Sequence, residues 1–177
     1  MLAAAFALFG EGGETAVSVR SVCRECELNS RYFYESFGSV DELLGAVFDD
    51  LSAQLRSTVE TAMQDAGPSW RARTRAGMTA VLSFTSADPR RGRLLVTDAR
   101  TNPVLAARRS ATQAQMLESA MAEDDRSHPG ADPVITRIGA AMYTGAMAEL
   151  SQQWLAGTLG TDLDGVVDHA LTFLDRD

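Results

Sequence analysis

The sequence predicts an all-α chain in which an N-terminal three-helix domain is joined by a long helix to a larger helical C-terminal domain. Three observations predict it. Apolar residues recur at intervals of three and four along most of the chain. Asp88-Pro89, Asn102-Pro103 and Asp132-Pro133 each set a good N-cap residue directly before proline, which is pre-organised for the first helical position. No run alternates apolar and polar residues as a half-buried strand does, and there is neither a dinucleotide-binding glycine fingerprint nor a tandem repeat.

Residues 18–48 hold the densest local signals. Val19, Val22, Cys23 and Cys26 fall on one apolar helix face, with Ser18 as N-cap. Leu28 turns the chain inward, and Asn29 caps a two-turn segment, residues 30–37. Phe33 and Phe37 share one side of that segment, and Ser30, Arg31, Tyr32 and Tyr34 cover the rest, as a helix that reads DNA requires. Gly38 is expected to end this helix in a left-handed conformation, and Ser39 to Glu42 reads as a capping box. Leu44, Val47, Phe48, Leu51, Leu55 and Val59 then predict one long helix from 41 to about 66, stopped by Gly67-Pro68. Further helices are expected over 70–86, 89–100, 103 to about 123, and 133 to about 155. A turn at Gly157-Thr158-Leu159-Gly160 precedes a last helix from 161, striped by Leu163, Val166, Val167, Ala170, Leu171 and Leu174. Residues 124–132 are polar and rich in helix breakers, and are expected to be an exposed, mobile loop.

At residues 2 to 51 the chain resembles the TetR family of bacterial transcriptional regulators. The resemblance rests on the Leu2, Ala5, Phe6, Phe9, Gly13 pattern of a first helix and on the Ala16 to Arg20 entry to the second. It rests also on Phe33 to Ser39 followed by Asp41-Glu42-Leu43-Leu44. It implies a helix-turn-helix domain over 1–46 and a ligand-binding and dimerisation domain over 47–177, with a truncated first helix and a basic arm before it. It also implies a repressor that leaves its operator when a small, largely hydrophobic effector binds. Arg20, Ser30, Arg31, Tyr32 and Tyr34 are the implied DNA contacts; Arg31 suits a guanine edge or a phosphate, and Tyr34 matches a family tyrosine that contacts phosphate. The pattern departs at Glu27, where the family has a small residue or glycine, at Glu35, where it has a basic residue or histidine, and at Val40, where it has lysine.

Charge sharpens these departures. Overall the 177 residues carry a net charge of −8, and all sixteen basic residues are arginine. Residues 1–50 hold three arginines against nine acids, a net of −6. Because Lys and Arg supply essentially all non-specific DNA affinity, this favours as the alternative a regulator-like dimeric module with weak or lost DNA binding.

Beyond residue 66, Phe84, Met116, Tyr143, Met78 and Met147 are the candidate ligand contacts, since methionine-rich linings suit irregular apolar ligands. The resemblance implies a homodimer through the last two long helices. Gly139, Ala140, Thr144, Gly145 and Ala148 there allow close approach beside Leu163, Val167, Leu171 and Leu174. Its two reading heads would meet a pseudo-palindromic double-stranded operator at sites roughly 34 to 36 Å apart. Catalysis is not expected: His128 falls in a loop, His169 on the last helix, and no nucleophile elbow, phosphate loop or metal-ligand spacing accompanies either. Neither a metal nor a cofactor is implied, and Cys23 and Cys26 read as small core residues. With no charged leader before the first apolar residues and no stretch fit to span a bilayer, a cytoplasmic protein without membrane contact is expected.

Overall fold

In the computed structural model, which describes residues 1–97 and 102–174, nine α-helices and no strand occur among the described residues. They are α1 (Leu2–Gly12), α2 (Val19–Glu25), α3 (Ser30–Ser36), α4 (Val40–Asp65), α5 (Trp70–Ala87), α6 (Pro89–Gly92), α7 (Pro103–Ser127), α8 (Pro133–Leu155) and α9 (Leu163–Thr172). A 3-10 turn, Glu14–Ala16, follows α1, and a π-helical turn, Arg93–Thr97, follows α6.

Side-chain caps open the helices where short polar residues stand. Ser18 accepts from the Ser21 amide at 3.1 Å, and Asn29 from the Arg31 amide at 2.7 Å. The three cap-proline pairs behave alike: Asp88 accepts from the Arg90 amide, Asn102 from that of Val104 and Asp132 from that of Val134. Each such cap stabilises its helix by about 1 kcal/mol.

Several boundaries differ from the sequence expectation. Helix α3 closes through extended Phe37 (φ −140°) rather than a left-handed Gly38. The Gly38 amide instead donates to Glu42 at 2.7 Å while Ser39 accepts from the Glu42 amide at 3.1 Å, so the acid reaches one residue further back than a capping box does. Helix α7 continues through Ser127, with Glu123 paired to Arg126 in its last turn and Asp124 lying 3.1 Å from Nδ1 of His128 just past it, which shortens the polar loop to 128–132. The helix expected over 89–100 is one α-turn followed by the π turn, and its residues 98–100 lie outside the described residues. Asp162 caps α9 by accepting from the Gly165 amide at 3.0 Å, setting its start at Leu163.

The chain forms two compact units. The first comprises residues 1–54 and 88–109. Phe9, Phe33 and Phe48 are its largest buried side chains, and Leu94 and Leu105 share the same core. Polar ties join these segments. Asn102, 4% exposed, donates from its amide nitrogen to Glu14 at 2.8 Å and Asp41 at 3.2 Å, while its amide oxygen caps α7. Arg93 donates to the Gly10 carbonyl at 3.1 Å, and Arg108 pairs with Asp49.

The second unit comprises residues 55–87 and 110–177. Met78 and Leu82 of α5, Met147 of α8, and Val167 and Leu171 of α9 form its buried centre. Gly77 lets α5 approach α4, since a Cβ there would stand 3.3 Å from Met63. Arg73 makes a bidentate pair with Glu123, at 2.6 and 2.9 Å, and donates to the Met63 carbonyl at 2.9 Å; its side chain is 16% exposed and that of Glu123 12%. Hydrogen bonding from Arg73 holds the Glu123 carboxyl below its ordinary range. This contribution to stability is present above the unfolded carboxyl's pKa and is lost as pH falls through the folded value.

Glu123→Gln leaves Arg73 half-satisfied in a largely buried place and is expected to destabilise the chain by about 3 kcal/mol in urea titration. Replacing the pair together, Arg73→Met with Glu123→Leu, is expected to restore much of the loss. Equal destabilisation by the single and double replacements would show that the pair is not what holds this region.

Candidate nucleic-acid interface and ligand cavity

The outer surface of α3 is fixed by what the helix buries. Phe33 is wholly buried and Phe37 half-buried, so Ser30, Arg31, Tyr32 and Tyr34 all face outward; Tyr32 is 52% and Tyr34 62% exposed. The Tyr34 ring stands edge-on to Phe33, centroids 5.4 Å apart, which ties its orientation to the core. Arg20 is exposed near the start of α2, after the Ser18 cap. The Arg31 Nε donates to Glu35 at 2.9 Å, one turn along the exposed helix. That bond leaves the two terminal amino groups of Arg31 to donate to a guanine edge or a phosphate, yet it sets a carboxylate beside them.

Within the second unit a cavity of about 610 Å³ opens along α8 and α9, with Met78, Tyr143, Met147, Leu150, Val166 and Ala170 among its lining. Of the five candidate ligand contacts, it brings together Met78, Tyr143 and Met147. Phe84 and Met116 do not line it: Phe84 is half-buried elsewhere on α5, and Met116 is exposed on α7. Leu150, Val166 and Ala170 went unnamed as contacts, although the i, i+4 spacing of Val166 and Ala170 put both on the apolar stripe of the last helix. Tyr143 brings a phenol ring to this largely apolar lining. Its hydroxyl bonds to no described residue, and burial together with the negative charge of Glu123 pushes its pKa up to about 12.

Comparison with known proteins bears on both regions. Residues 1–47 match the family model described as bacterial regulatory proteins, tetR family. An HTH-type transcriptional repressor of Mycobacterium tuberculosis is 38% identical over 55 residues, 31% of this chain and 29% of the repressor. Over these N-terminal residues the chain is similar to the tetR family of bacterial regulatory proteins. The matched stretch thus spans about three tenths of that relative's length. Over 98% of this chain, the fold resembles the fatty acid degradation regulator FadR of Bacillus halodurans (TM-score 0.78, 16% identity, 95% of that chain). It resembles equally a transcriptional regulator of Rhodococcus sp. Rha1 (TM-score 0.78, 20% identity, 92% of that chain). FadR of Bacillus subtilis, solved in complex with stearoyl-CoA, is similar over 98% of this chain and 95% of its own (TM-score 0.76, 16% identity). At these identities the likeness is one of fold.

The similarity of residues 1–47 to tetR-family sequences gives Glu27 a structural meaning. It holds the place where tetR-family sequences carry a small residue or glycine, and its φ is +56°, the only positive φ at a non-glycine among the described residues. A left-handed backbone costs an L-residue with a Cβ roughly 1–2 kcal/mol.

Glu27→Gly is therefore expected to stabilise the first unit by about 0.5–1 kcal/mol after the extra flexibility of glycine in the unfolded chain is counted. A fall in melting temperature would contradict this account of the turn. Tyr143 generates an alkaline signature. Its folded pKa of about 12 lies above the unfolded value near 10, so the unfolded chain loses that proton first. Stability is expected to fall, by on the order of 2 kcal/mol, as pH rises from about 10 to 12, and Tyr143→Phe is expected to flatten that fall.

Proposed function

We propose that this protein is a DNA-binding transcriptional regulator, a repressor released from a pseudo-palindromic operator by a small, largely hydrophobic ligand. The observation that carries the proposal is the Asn29-capped helix α3, which buries Phe33 and presents Ser30, Arg31, Tyr32 and Tyr34 outward in a head of regulatory-family sequence. Arg20 joins them from α2. Arg31 reads a base edge, Tyr34 holds phosphate through its hydroxyl, and the remaining contacts set register.

The cavity along α8 and α9 takes the ligand, with Met78, Met147 and Tyr143 as contacts. The complex of a similarly folded FadR with stearoyl-CoA supports a hydrophobic effector in this architecture. Two copies supply two heads. Ile135, Ile138 and Met142 lie on one face of α8 and are 55%, 55% and 69% exposed, an apolar stripe fit for a second copy. Val167 and Leu171, expected from sequence at a dimer contact, are wholly buried in the chain's own core and leave that role to this stripe.

The acidic head favours a second reading, in which DNA binding is weak or lost and the dimer acts through ligand or protein contacts. Binding-site selection followed by titration separates the two. A regulator is expected to select a palindromic sequence, to lose at least tenfold in affinity with Arg31→Ala, and to release the site when ligand raises its melting temperature. Absence of any selected sequence at low salt supports the second reading. Ile138→Asp with Met142→Glu is expected to give a monomer by light scattering and to abolish palindrome binding; a wild-type monomer at micromolar concentration would overturn the dimer.

A further inference from the structure

Arg31 and Glu35 form a donor–acceptor pair on the outer face of α3, and the inference drawn from it rests on reading α3 as the helix that meets DNA. Their side chains are 82% and 52% exposed, and the Arg31 Nε donates to Oε1 of Glu35 at 2.9 Å. Oε2 of Glu35 takes no hydrogen bond among the described residues. Residues four apart share a helix face and are offset by about 6 Å along its axis. A docking that brings Arg31 to a guanine therefore carries the Glu35 carboxylate past it, toward the neighbouring base pair, since base pairs stack roughly 3.4 Å apart.

The two ends have opposite chemistry. A guanidinium only donates and suits the O6 and N7 acceptors of guanine, whereas a carboxylate only accepts and is repelled by phosphate. In the major groove the donors open to it are the amino groups of cytosine and adenine. Adenine sets N7, an acceptor, beside its amino group, and a carboxylate meets that lone pair unfavourably. Cytosine sets no acceptor there. The exposed pair is weak, so Arg31 turns to guanine at little cost. The carboxylate it leaves in the groove is then shielded from water, and needs an amino group to meet it.

We propose that Glu35 is a specificity-determining residue, selecting cytosine on the base pair next to the guanine read by Arg31 by accepting from the cytosine N4 amino group. Thymine and guanine at that place offer acceptors and are refused. The carboxylate lowers affinity for every sequence through the phosphates, and lowers it least where cytosine stands.

The test is binding-site selection with the full chain and three variants, each followed by titration against the selected site and its single-base changes. The wild type is expected to select a guanine with cytosine on the adjacent base pair. Glu35→Ala is expected to keep the guanine and to reduce discrimination at the cytosine by at least about fivefold, the loss of one base contact. Glu35→Gln, whose amide both donates and accepts, is expected to move that position to adenine. Arg31→Ala is expected to lose the guanine and keep the cytosine. A wild-type site with no cytosine beside the guanine overturns the proposal while the regulator reading stands. So does a Glu35→Ala variant that binds every sequence more tightly with base preferences unchanged, because Glu35 is then only a repulsive neighbour of phosphate. Selection of no sequence by the wild type at low salt overturns both the proposal and the reading beneath it.

Discussion

Two helices of seven residues each cannot hold themselves together. Isolated helices shorter than about 12–15 residues are marginal in water, so α2 and α3 exist because their ends are capped and one face of each is buried. Phe33 is the residue on which this depends most. With its ring enclosed by the core that contains Phe9 and Phe48, the rotation of α3 about its axis is set, and so is the outward direction of Arg31, Tyr32 and Tyr34. The core is completed from far along the chain, by Leu94 and Leu105. Asn102 finishes the arrangement with one side chain, its oxygen starting α7 and its nitrogen satisfying carboxylates on the turn after α1 and on the first turn of α4. The geometry of the proposed reading surface is thus a consequence of packing, and residues with no place on that surface determine it.

Charge acts on the same surface in the opposite sense. With three arginines against nine acids in residues 1–50, few phosphates can be neutralised, and Glu35 competes directly for Arg31. An exposed pair one turn apart on a helix contributes only about 0.3–0.5 kcal/mol, so a guanine edge displaces it easily. A phosphate contact gains less, because the neighbouring carboxylate repels it. For the proposed regulator this shifts the balance from non-specific attraction toward base recognition, and makes affinity less sensitive to salt than a basic head would be.

Features set by near neighbours in sequence were legible before any coordinates. Ser18, Asn29, Asp88, Asn102 and Asp132 each cap the helix expected of them, because a cap acts over two or three residues. The burial of Phe33 and the exposure of the residues around it followed from helical spacing alone. Periodicity fails at the next step, since it identifies an apolar face without saying what covers it. Leu94 and Leu105 read as part of a generic helical domain, and their place in the core of the first unit depends on contacts across most of its length. Val167 and Leu171 looked available to a partner and are enclosed by α5 and α8, while Ile135, Ile138 and Met142 stand open. The same ambiguity grouped Phe84 and Met116 with Tyr143, although only Met78, Tyr143 and Met147 of that set share the cavity. The left-handed Glu27 was legible as a departure from family pattern, but its backbone strain was not.

The proposed ligand response needs a path from the cavity to helices that reach the first unit, and α5 supplies its beginning. The chain passes between units within α4, after Gln54, and within α7, after Arg109, so both helices are common to the two. Neither contributes a residue to the described cavity lining, which draws on α5, α8, α9, the segment between the last two, and Phe173 and Leu174 after α9. Met78 of α5 lines the cavity, and its neighbour Gly77 lies close against Met63 of α4, where a Cβ would stand 3.3 Å from the Met63 side chain. One turn earlier, Arg73 bonds both the Met63 carbonyl and Glu123 of α7. A ligand that moves Met78 must therefore shift α5 against two helices to which it is fixed by close packing and by a largely buried ion pair. Packed contacts of this kind resist continuous deformation and exchange one arrangement for another. An effector acts through them only by the difference in its affinity for the two arrangements.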